Sequence, residues 1–347
     1  MICITWWGLT QYAARAIDAF AKVSSEQVFV VATRPKSTLV KGLEKSLRCP
    51  LVWVDENDSD VILTLPEVPR ILFVSNWNLP CWRNLMSVVR ARGGKIVAMV
   101  DTNYQLSVKA MLRAVRFRLL LRHKFDAFMV AGRSGLQLMR MWGVDERYVY
   151  QGLYGADASL FHDGDPIGMR AKRILYVGQF IYRKNVLRLL TAFEKFHVKH
   201  PDWELEMCGH GPLHAKIPKM QGLVVHDFVQ PEELSRIYRQ VRAFVLPSLE
   251  EHWGVVVHEA SLSGCYLLLS SAIGAKDDFA SNENSAIFNP TSEDSILAAF
   301  EKLASRSPAE LILAQQKSIE LAARFGLSRF VSEMLRLVNE LDVRLAR

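Results

Sequence analysis

The 347-residue sequence contains no apolar run long enough to cross a membrane, and its five cysteines include no Cys-x-x-Cys pair. A transmembrane helix needs about 20 consecutive apolar residues, so we expect no membrane-spanning helix. An odd number of scattered cysteines is unlike a disulfide or zinc framework. The first residues, "MICITWWGLTQYAARAIDAF", lack the basic start and the cleavage site of a signal peptide. We therefore expect reduced thiols and a cytoplasmic protein, either free or peripheral on the cytoplasmic face of a membrane.

Other signals are also missing. No Gly-x-Gly-x-x-Gly follows a predicted strand, which argues against a dinucleotide-dependent oxidoreductase. The acidic residues are too scattered to predict a metal site. The net charge of +7 fits phosphorylated small molecules, an anionic membrane or nucleic acid. Because the sequence carries no recognised nucleic-acid-binding module, we expect no nucleic acid partner.

What the sequence does contain is a regular alternation of short apolar strands and longer helical patterns. Half of the residues are hydrophobic, enough for two domains with cores of their own. Alternation of this kind predicts parallel sheets covered by helices on both faces. The predicted strands are "ICITWW", "VFVVAT", "LVWV", "ILFVSN", "KIVAMV" and "DAFMVA" in the first half, and "RILYVG", "LEMCG", "LVVHDF", "AFVLPS", "CYLLLS" and "AIFNP" in the second. The fold class is therefore α/β, with two Rossmann-like doubly wound domains facing across a cleft.

The break between these domains is expected in "FHDGDPIGMRAK", residues 161–172, which is rich in Gly, Pro and Asp. We expect an N-terminal domain over residues 1–163 and a C-terminal domain over 164–326. The last apolar-periodic stretch, 327–347, reads as a helix that packs back towards the N-terminal domain, with Ser328 as its N-cap.

The stretch "EEHWGVVVHEA" places Glu251 and Glu259 around an apolar run, directly after the strand "AFVLPS". Gly254 is expected to open a helix from Val255 to Leu262, whose free N–H groups and dipole attract a phosphate. A diphosphate there would have a carboxylate on each side. Carboxylates accept hydrogen bonds from hydroxyls, so the arrangement suits a nucleotide sugar. The alternative is an amphipathic helix with ordinary acidic residues.

A second stretch, "ILYVGQFIYRKNVLRLLTAF", places Arg183 and Lys184 just before a predicted helix. These cations could neutralise a diphosphate. The alternative, a solvated basic turn, is favoured when the stretch is taken alone.

Together with "MCGHGP" and "AIGAKDDFASNENSAIFNP", these stretches occur in an order that resembles the C-terminal half of the retaining nucleotide-sugar glycosyltransferases of family 4, with the GT-B architecture. The resemblance is specific over about residues 173–305, and Glu251 and Glu259 match its Glu-x7-Glu pattern. It implies that Glu251 holds the donor sugar hydroxyls, Glu259 the ribose and Lys184 the diphosphate.

Three groups of candidate site residues follow. The donor sugar and diphosphate group is Arg183, Lys184, Glu251, His252, Trp253, Gly254 and Val255. The nucleoside group is Glu259, Phe228, Val229 and Gly209. The acceptor-side group, which follows strands of the N-terminal domain, is Gly8, Leu9, Asn76 and Asn103.

The sequence departs from the family in three places. The family often has Gly-Arg where this chain has Gly178-Gln179, so Arg183 could take over that charge. His252 stands where many members have a flexible glycine. The family's N-domain histidine is absent, and Asp101 is the candidate sugar contact in its place, which makes Glu251 and Asp101 the catalytic candidates.

The resemblance implies transfer of a hexose-type sugar from a nucleotide sugar to a glycan or lipid-linked acceptor, with retention of anomeric configuration. Such an enzyme would serve cell-envelope polysaccharide, lipopolysaccharide or glycolipid synthesis. It would need no cofactor and no metal, because the leaving phosphate helps to deprotonate the acceptor. A non-catalytic two-lobed nucleotide- or sugar-binding protein is the alternative.

Residues 105–125, "QLSVKAMLRAVRFRLLLRHKF", contain six lysines and arginines and no acidic residue. At helical spacing Lys109, Arg113, Arg116 and Lys124 share one stripe. This pattern predicts a basic helix or loop resting on an anionic membrane surface. The alternative is a surface helix whose apolar residues enter the core of the N-terminal domain.

Overall fold

The computed structural model describes residues 1–35, 42–104 and 107–345, and the side chains within 1–35, 42–104 and 107–343. The chain forms two compact units. The first consists of Met1–Gly155 and Phe325–Arg347, and the second of Ala156–Arg324. Residues 156–163 thus fold with the second unit, and the last helix folds with the first.

The first unit contains a seven-stranded parallel sheet in the order β3-β2-β1-β4-β5-β6-β7. Its strands are β1 Ile2–Trp6, β2 Val28–Ala32, β3 Leu51–Trp53, β4 Ile71–Ser75, β5 Lys95–Val100, β6 Ala127–Val130 and β7 Val149–Gln151. Its helices are α1 Gln11–Val23, α2 Pro80–Ala91, α3 Val108–Leu120, α4 Arg133–Met141 and, from the end of the chain, α11 Leu327–Leu345.

Helix α11 completes one face of this sheet. Phe330, Met334, Leu337 and Leu341 are buried in the same core as the α1 residue Phe20. Polar contacts add to this packing, since Tyr150 on β7 donates a hydrogen bond to Glu340 (2.5 Å). The helix begins at Leu327, one residue before the predicted N-cap Ser328, and the burial of its apolar stripe explains why it folds with the first unit.

The second unit contains a six-stranded parallel sheet in the order β10-β9-β8-β11-β12-β13. Its strands are β8 Ala171–Val177, β9 Glu204–Cys208, β10 Leu223–His226, β11 Val241–Leu246, β12 Tyr266–Ser270 and β13 Ser285–Phe288. Its helices are α5 Val186–Lys199, α6 Pro231–Gln240, α7 Val255–Leu262, α8 Lys276–Phe279, α9 Glu293–Ala304 and α10 Pro308–Ala322. The order of strands reverses between β8 and β11, the place where sheets of this type bind ligands at their carboxyl ends.

All twelve predicted strands are present, and the predicted fold class, two Rossmann-like α/β domains, is confirmed. The structure adds β7, a three-residue strand too short to give an apolar pattern of its own. The stretch expected to be a linker is part of the second unit: Ile167 is buried, and the buried Arg170 donates to the carbonyl of Ser263 (2.9 Å). Its Gly, Pro and Asp residues form turns against the unit and not a free connection.

All five cysteines are free, as expected. Within the part of the chain that the structure describes, none of the helices has the length and apolar character needed to cross a membrane.

Candidate functional site

The donor-side candidates meet at the carboxyl ends of β8 and β11. Lys184 lies in a helical turn between β8 and α5, and Glu251 lies in the loop between β11 and α7. The Lys184 ammonium forms an ion pair with Oε2 of Glu251, and Arg183 Nη1 lies 3.3 Å from the same oxygen. Ser248 adds a hydrogen bond to that oxygen (3.2 Å). The structure therefore brings together three residues that the sequence assigned to donor binding.

Burial and charge act against each other in this cluster. The side chains of Lys184 and Glu251 are only 10% and 14% exposed. Burial alone would raise the pKa of Glu251, but the charges of Lys184 and Arg183 hold that pKa below its ordinary value. Burial also lowers the pKa of Lys184, although Glu251 opposes this. The pair satisfies two charges that would otherwise be costly to keep out of water.

Asn185 fixes the position of this cluster. It adopts a left-handed backbone (φ 58°), and its buried amide donates to the carbonyls of Pro247 (3.1 Å) and Pro290 (2.7 Å). A left-handed conformation is most accessible to Gly and Asn. The turn that carries Lys184 is thereby attached to the loop after β11. This role was not predicted from the sequence, although an Asn at a strand-to-helix turn is a signal for it.

The loop between β11 and α7 is anchored by Trp253. This side chain is 2% exposed, and its indole N–H donates to Asp278 (2.7 Å). Trp253 therefore supports the loop from the interior and does not face solvent. Gly254 has φ 95° and precedes Val255, the first residue of α7. The non-glycine residues with positive φ among those described are Asn76 and Asn185, so His252 occupies its position without the left-handed strain that a glycine would relieve.

Glu259 lies within α7, at the predicted position. Its Oε2 accepts a hydrogen bond from the buried Tyr238 hydroxyl (3.3 Å). Burial raises the pKa of Glu259 to about 7, and the bond from Tyr238 opposes the rise only in part. The two glutamates of the Glu-x7-Glu pattern thus differ in their electrostatics: Glu251 pairs with cations, and Glu259 has a neutral partner.

The other nucleoside candidates lie after β9 and β10. A Cβ on Gly209 would come within 1.9 Å of the Gly178 carbonyl oxygen, so this position requires glycine. Phe228 is 37% exposed, and its backbone N–H donates to the side chain of Asp227 (2.8 Å). Val229 is half-buried beside it.

His258, which the sequence left without a role, is fully buried in α7. Its Nδ1 accepts a hydrogen bond from the Ala156 N–H (2.9 Å), which leaves Nε2 to donate to the Ala322 carbonyl (3.0 Å). Burial lowers its pKa to about 4. The neutral ring joins the first and last segments of the second unit and is structural.

In the first unit, the candidates follow β1, β4 and β5. Asp101 lies just after β5 and accepts a hydrogen bond from the Tyr154 hydroxyl (3.1 Å). Gly8 has φ 61° and donates through its N–H to Thr33 Oγ1 (2.8 Å). Asn76 also has a positive φ, 46°.

Two acceptor-side candidates are less accessible than expected. Leu9 is fully buried in the core of the first unit, and Asn103 is only 6% exposed. Leu9 packs inward because helix α1, which follows it, covers the sheet, so its side chain does not line a surface. Trp7, just before Gly8 and Leu9, is 46% exposed, and its indole donates to Glu56 (3.0 Å).

Two groups of potential metal ligands exist among the described residues, each with donor atoms within 4.8 Å of one another: Glu206, Cys208 and His226, and His210, His214 and Asp227. In the first group Arg173 already pairs with Glu206 (3.0 Å), which competes with a cation. In the second, His210 Nδ1 lies 2.9 Å from Asp227, and all three residues are exposed. The expectation that no metal is required stays a prediction.

Part of the chain is similar to known glycosyltransferases. Residues 161–318 match the family model described as "Glycosyl transferases group 1". An uncharacterized glycosyltransferase of Methanocaldococcus jannaschii is 26% identical over 141 residues, which cover 39% of this chain and 36% of that protein. Sulfoquinovosyl transferase of Arabidopsis thaliana is 26% identical over 192 residues, 52% of this chain and 36% of that protein. The matched region thus spans about a third of the length of these relatives.

The fold similarity extends over the whole chain. The crystal structure of Anabaena HepE in complex with UDP has a TM-score of 0.75, with 98% of this chain and 100% of that chain covered. The sequence identity is 11%, so this likeness concerns the fold. The chain is therefore similar to group 1 glycosyltransferases over residues 161–318, which lie within the second unit, and its fold is similar to that of HepE over both units.

Proposed function

We propose that this protein is a retaining glycosyltransferase of family 4 that moves a hexose-type sugar from a nucleotide sugar to a glycan or lipid-linked acceptor. The observation that carries the proposal is the Lys184–Arg183–Glu251 cluster at the carboxyl ends of β8 and β11. It combines two cations, which suit a diphosphate, with a carboxylate, which suits sugar hydroxyls.

The cluster requires a rearrangement on donor binding. Lys184 and Arg183 both pair with Glu251. A bound diphosphate would take over both cations, together with the N–H groups at the start of α7. Glu251 would then be released to accept hydrogen bonds from the sugar. The two ion pairs therefore hold both cations in position until the donor replaces Glu251 as their partner, and the net positive charge of the cluster favours a diphosphate.

In the transfer itself, the bond between the anomeric carbon and the phosphate oxygen breaks, and a bond to the acceptor oxygen forms on the same face. The acceptor proton goes to the leaving phosphate. The cations stabilise the charge that develops on the diphosphate, so no metal is needed. Asp101, held by Tyr154, is proposed to contact the reacting sugar.

The pathway is proposed from the same class of chemistry. One relative is a sulfoquinovosyl transferase and one structural neighbour was solved with UDP and glucose, which favours nucleotide-sugar donors for this chain. We propose a role in cell-envelope polysaccharide, lipopolysaccharide or glycolipid synthesis, on the cytoplasmic side of the membrane.

Calorimetric titration with UDP, GDP and ADP, followed by turnover of the matching sugar donors, tests the proposal. We expect one diphosphate to bind and its sugar to be transferred in the presence of EDTA. NMR of the product should give the donor's anomeric configuration. Inversion would refute the retaining assignment, and activity abolished by EDTA and restored by Mg²⁺ would refute metal independence. Tight binding with no transfer to any glycan or lipid-linked acceptor would favour a binding protein.

A further inference from the structure

Helix α3 (Val108–Leu120) exposes an apolar face. Five side chains follow one another at i, i+3, i+4, i+7 and i+11, a spacing that places them on a single side of a helix. Their exposed fractions lie between 52% and 76%. They are Val108, Met111, Leu112, Val115 and Leu119. We call this set the α3 stripe.

The α3 stripe does not pack in the core of the first unit. The opposite side of the helix attaches it to the first unit, where Ala114 and Phe117 are buried. The Phe117 ring stacks on Trp142 with centroids 4.2 Å apart. Because that contact fixes the rotation of the helix, the stripe points away from the core. The alternative considered from the sequence, in which these apolar residues enter the core, is therefore wrong for the five stripe residues.

The flank of the stripe is basic. Lys109, Arg113 and Arg116 lie one after another along the side of the helix next to the stripe, and all three are exposed. Among the described residues no ion pair involves any of them. Arg118, on the other flank, donates to the Met141 carbonyl (2.8 Å) and so has a structural role. No acidic residue occurs in the sequence between Asp101 and Asp126, so nothing nearby in the chain neutralises this flank.

We propose that the α3 stripe and its basic flank are a docking surface for a membrane that carries anionic lipid head groups. Apolar side chains would enter the boundary between head groups and acyl chains, while the lysine and arginines meet the negative surface. A second copy of this chain is disfavoured as the occupant, because a two-fold contact would bring two basic flanks together. The surface is independent of the proposed transferase activity, and a donor need not be bound for it to act.

Co-sedimentation of the full chain with vesicles tests the proposal. We expect binding to phosphatidylcholine vesicles that contain phosphatidylglycerol, little binding to phosphatidylcholine alone, and weaker binding as salt rises. Each basic residue near such a surface strengthens binding about fivefold. The triple variant Lys109→Gln, Arg113→Gln, Arg116→Gln should therefore bind about a hundredfold more weakly. A matched control is Lys216→Gln, Lys219→Gln, Arg236→Gln, three exposed cations of the second unit, which should bind like the wild type.

The apolar contribution needs its own pair of variants. Leu112→Gln with Leu119→Gln should weaken binding at least tenfold, because each removes apolar surface from the lipid. Leu63→Gln with Leu313→Gln, two exposed leucines elsewhere, should have no effect. Equal binding by both pairs, or a wild-type protein that ignores anionic vesicles at low salt, would overturn the proposal. So would a dimer in solution that the Leu112 and Leu119 changes dissociate.

The vesicle result can be separated from the proposed enzyme function. Nucleoside diphosphate affinity, measured by calorimetry without vesicles, should be the same in the wild type and in the α3 variants, which reports on folding as well. Vesicle binding without nucleotide binding would leave the membrane surface intact and reject the transferase. Nucleotide binding without vesicle binding would leave the transferase proposal intact and reject the membrane surface.

Discussion

Glu251 and Glu259 lie eight positions apart in one motif, yet their surroundings shift their pKa values in opposite directions. Around Glu251 are two cations and a serine hydroxyl, and the pKa of the carboxyl is lowered despite burial. Around Glu259 the partner is a neutral tyrosine hydroxyl, and burial raises the pKa to about 7. Such a separation of pKa values is typical of functional sites.

This difference determines how each carboxylate would respond to a ligand. Glu251 is already ionised and satisfied, so a ligand must compete with Lys184 for it. Burial raises the pKa of Glu259 to about 7, and its Oε2 accepts a hydrogen bond from the Tyr238 hydroxyl. Hydroxyls of a ligand would add donors that favour the ionised form of Glu259. The ionised form of Glu251 is thus stabilised before a ligand binds, whereas the ionised form of Glu259 would be stabilised by the ligand.

The largest expected effect follows from breaking the Glu251 cluster. Glu251→Gln leaves the buried Lys184 ammonium without a carboxylate, and we expect the free energy of unfolding at pH 8 to fall by about 2–4 kcal/mol. Urea denaturation measures this change. The control is Glu250→Gln, an exposed neighbour, which should change stability by less than about 0.5 kcal/mol. An unaltered midpoint for Glu251→Gln would mean that the pair contributes nothing in solution.

The next effect sharpens the assignment of the cations. Lys184→Ala should weaken nucleoside diphosphate binding by about 1.5–3 kcal/mol, because it removes a charge-assisted hydrogen bond. Monophosphate binding should change much less, so the affinity gap between the two nucleotides should close. Calorimetry with both nucleotides measures the gap. Lys195→Ala removes an exposed lysine of α5 that pairs with Glu293 (3.1 Å), and it should keep the gap open. If the gap survives in Lys184→Ala combined with Arg183→Ala, the diphosphate binds elsewhere.

The smallest expected effect is that of Glu259→Gln, which should raise the free energy of unfolding, whereas Glu251→Gln should lower it. The folded state holds the Glu259 proton more tightly than the unfolded state, since the pKa rises from 4.5 to about 7. The ionised carboxyl therefore costs stability as pH rises through that interval. Glu259→Gln should raise the free energy of unfolding at pH 8 by about 1–3 kcal/mol, with no gain at pH 4. Urea denaturation at several pH values measures this difference.

The same variant should bind nucleoside diphosphate at least tenfold more weakly, because the neutral amide is a poorer acceptor for hydroxyls. Glu194→Gln, an exposed position on α5, is the control for both measurements. Destabilisation of Glu259→Gln at pH 8 would show that Glu259 is ionised and paired in the folded state, which would erase the contrast with Glu251.

The sequence predicted the fold well because buried parallel strands are nearly continuous apolar runs. It also predicted the limits of α7, Val255 to Leu262, since Gly254 and Gly264 mark its ends. The edge strand β7 was not predicted, because three residues are too few to show a periodic pattern.

The partners within the site were harder to predict. That Lys184 bonds to Glu251, 67 positions away, depends on which loops the sheet order brings together. Trp253 looked like a ligand contact because it stands beside Glu251 in the chain, yet its backbone turns it toward Asp278. The exposure of the α3 stripe was equally hidden, because periodicity shows that a helix has an apolar face but not which side of it the core covers.

His258 joins the two places where the chain enters and leaves the second unit. Ala156 bonds to one of its ring nitrogens and Ala322 to the other, so the ends of residues 156–324 are held a single imidazole apart. A segment with neighbouring ends can be inserted into, or removed from, another chain with little disturbance. The first unit is built from residues on both sides of that segment, so the second unit is inserted into it in sequence. Excision of residues 156–324 as one piece, or circular permutation at the junction, is therefore a natural route to engineering this protein.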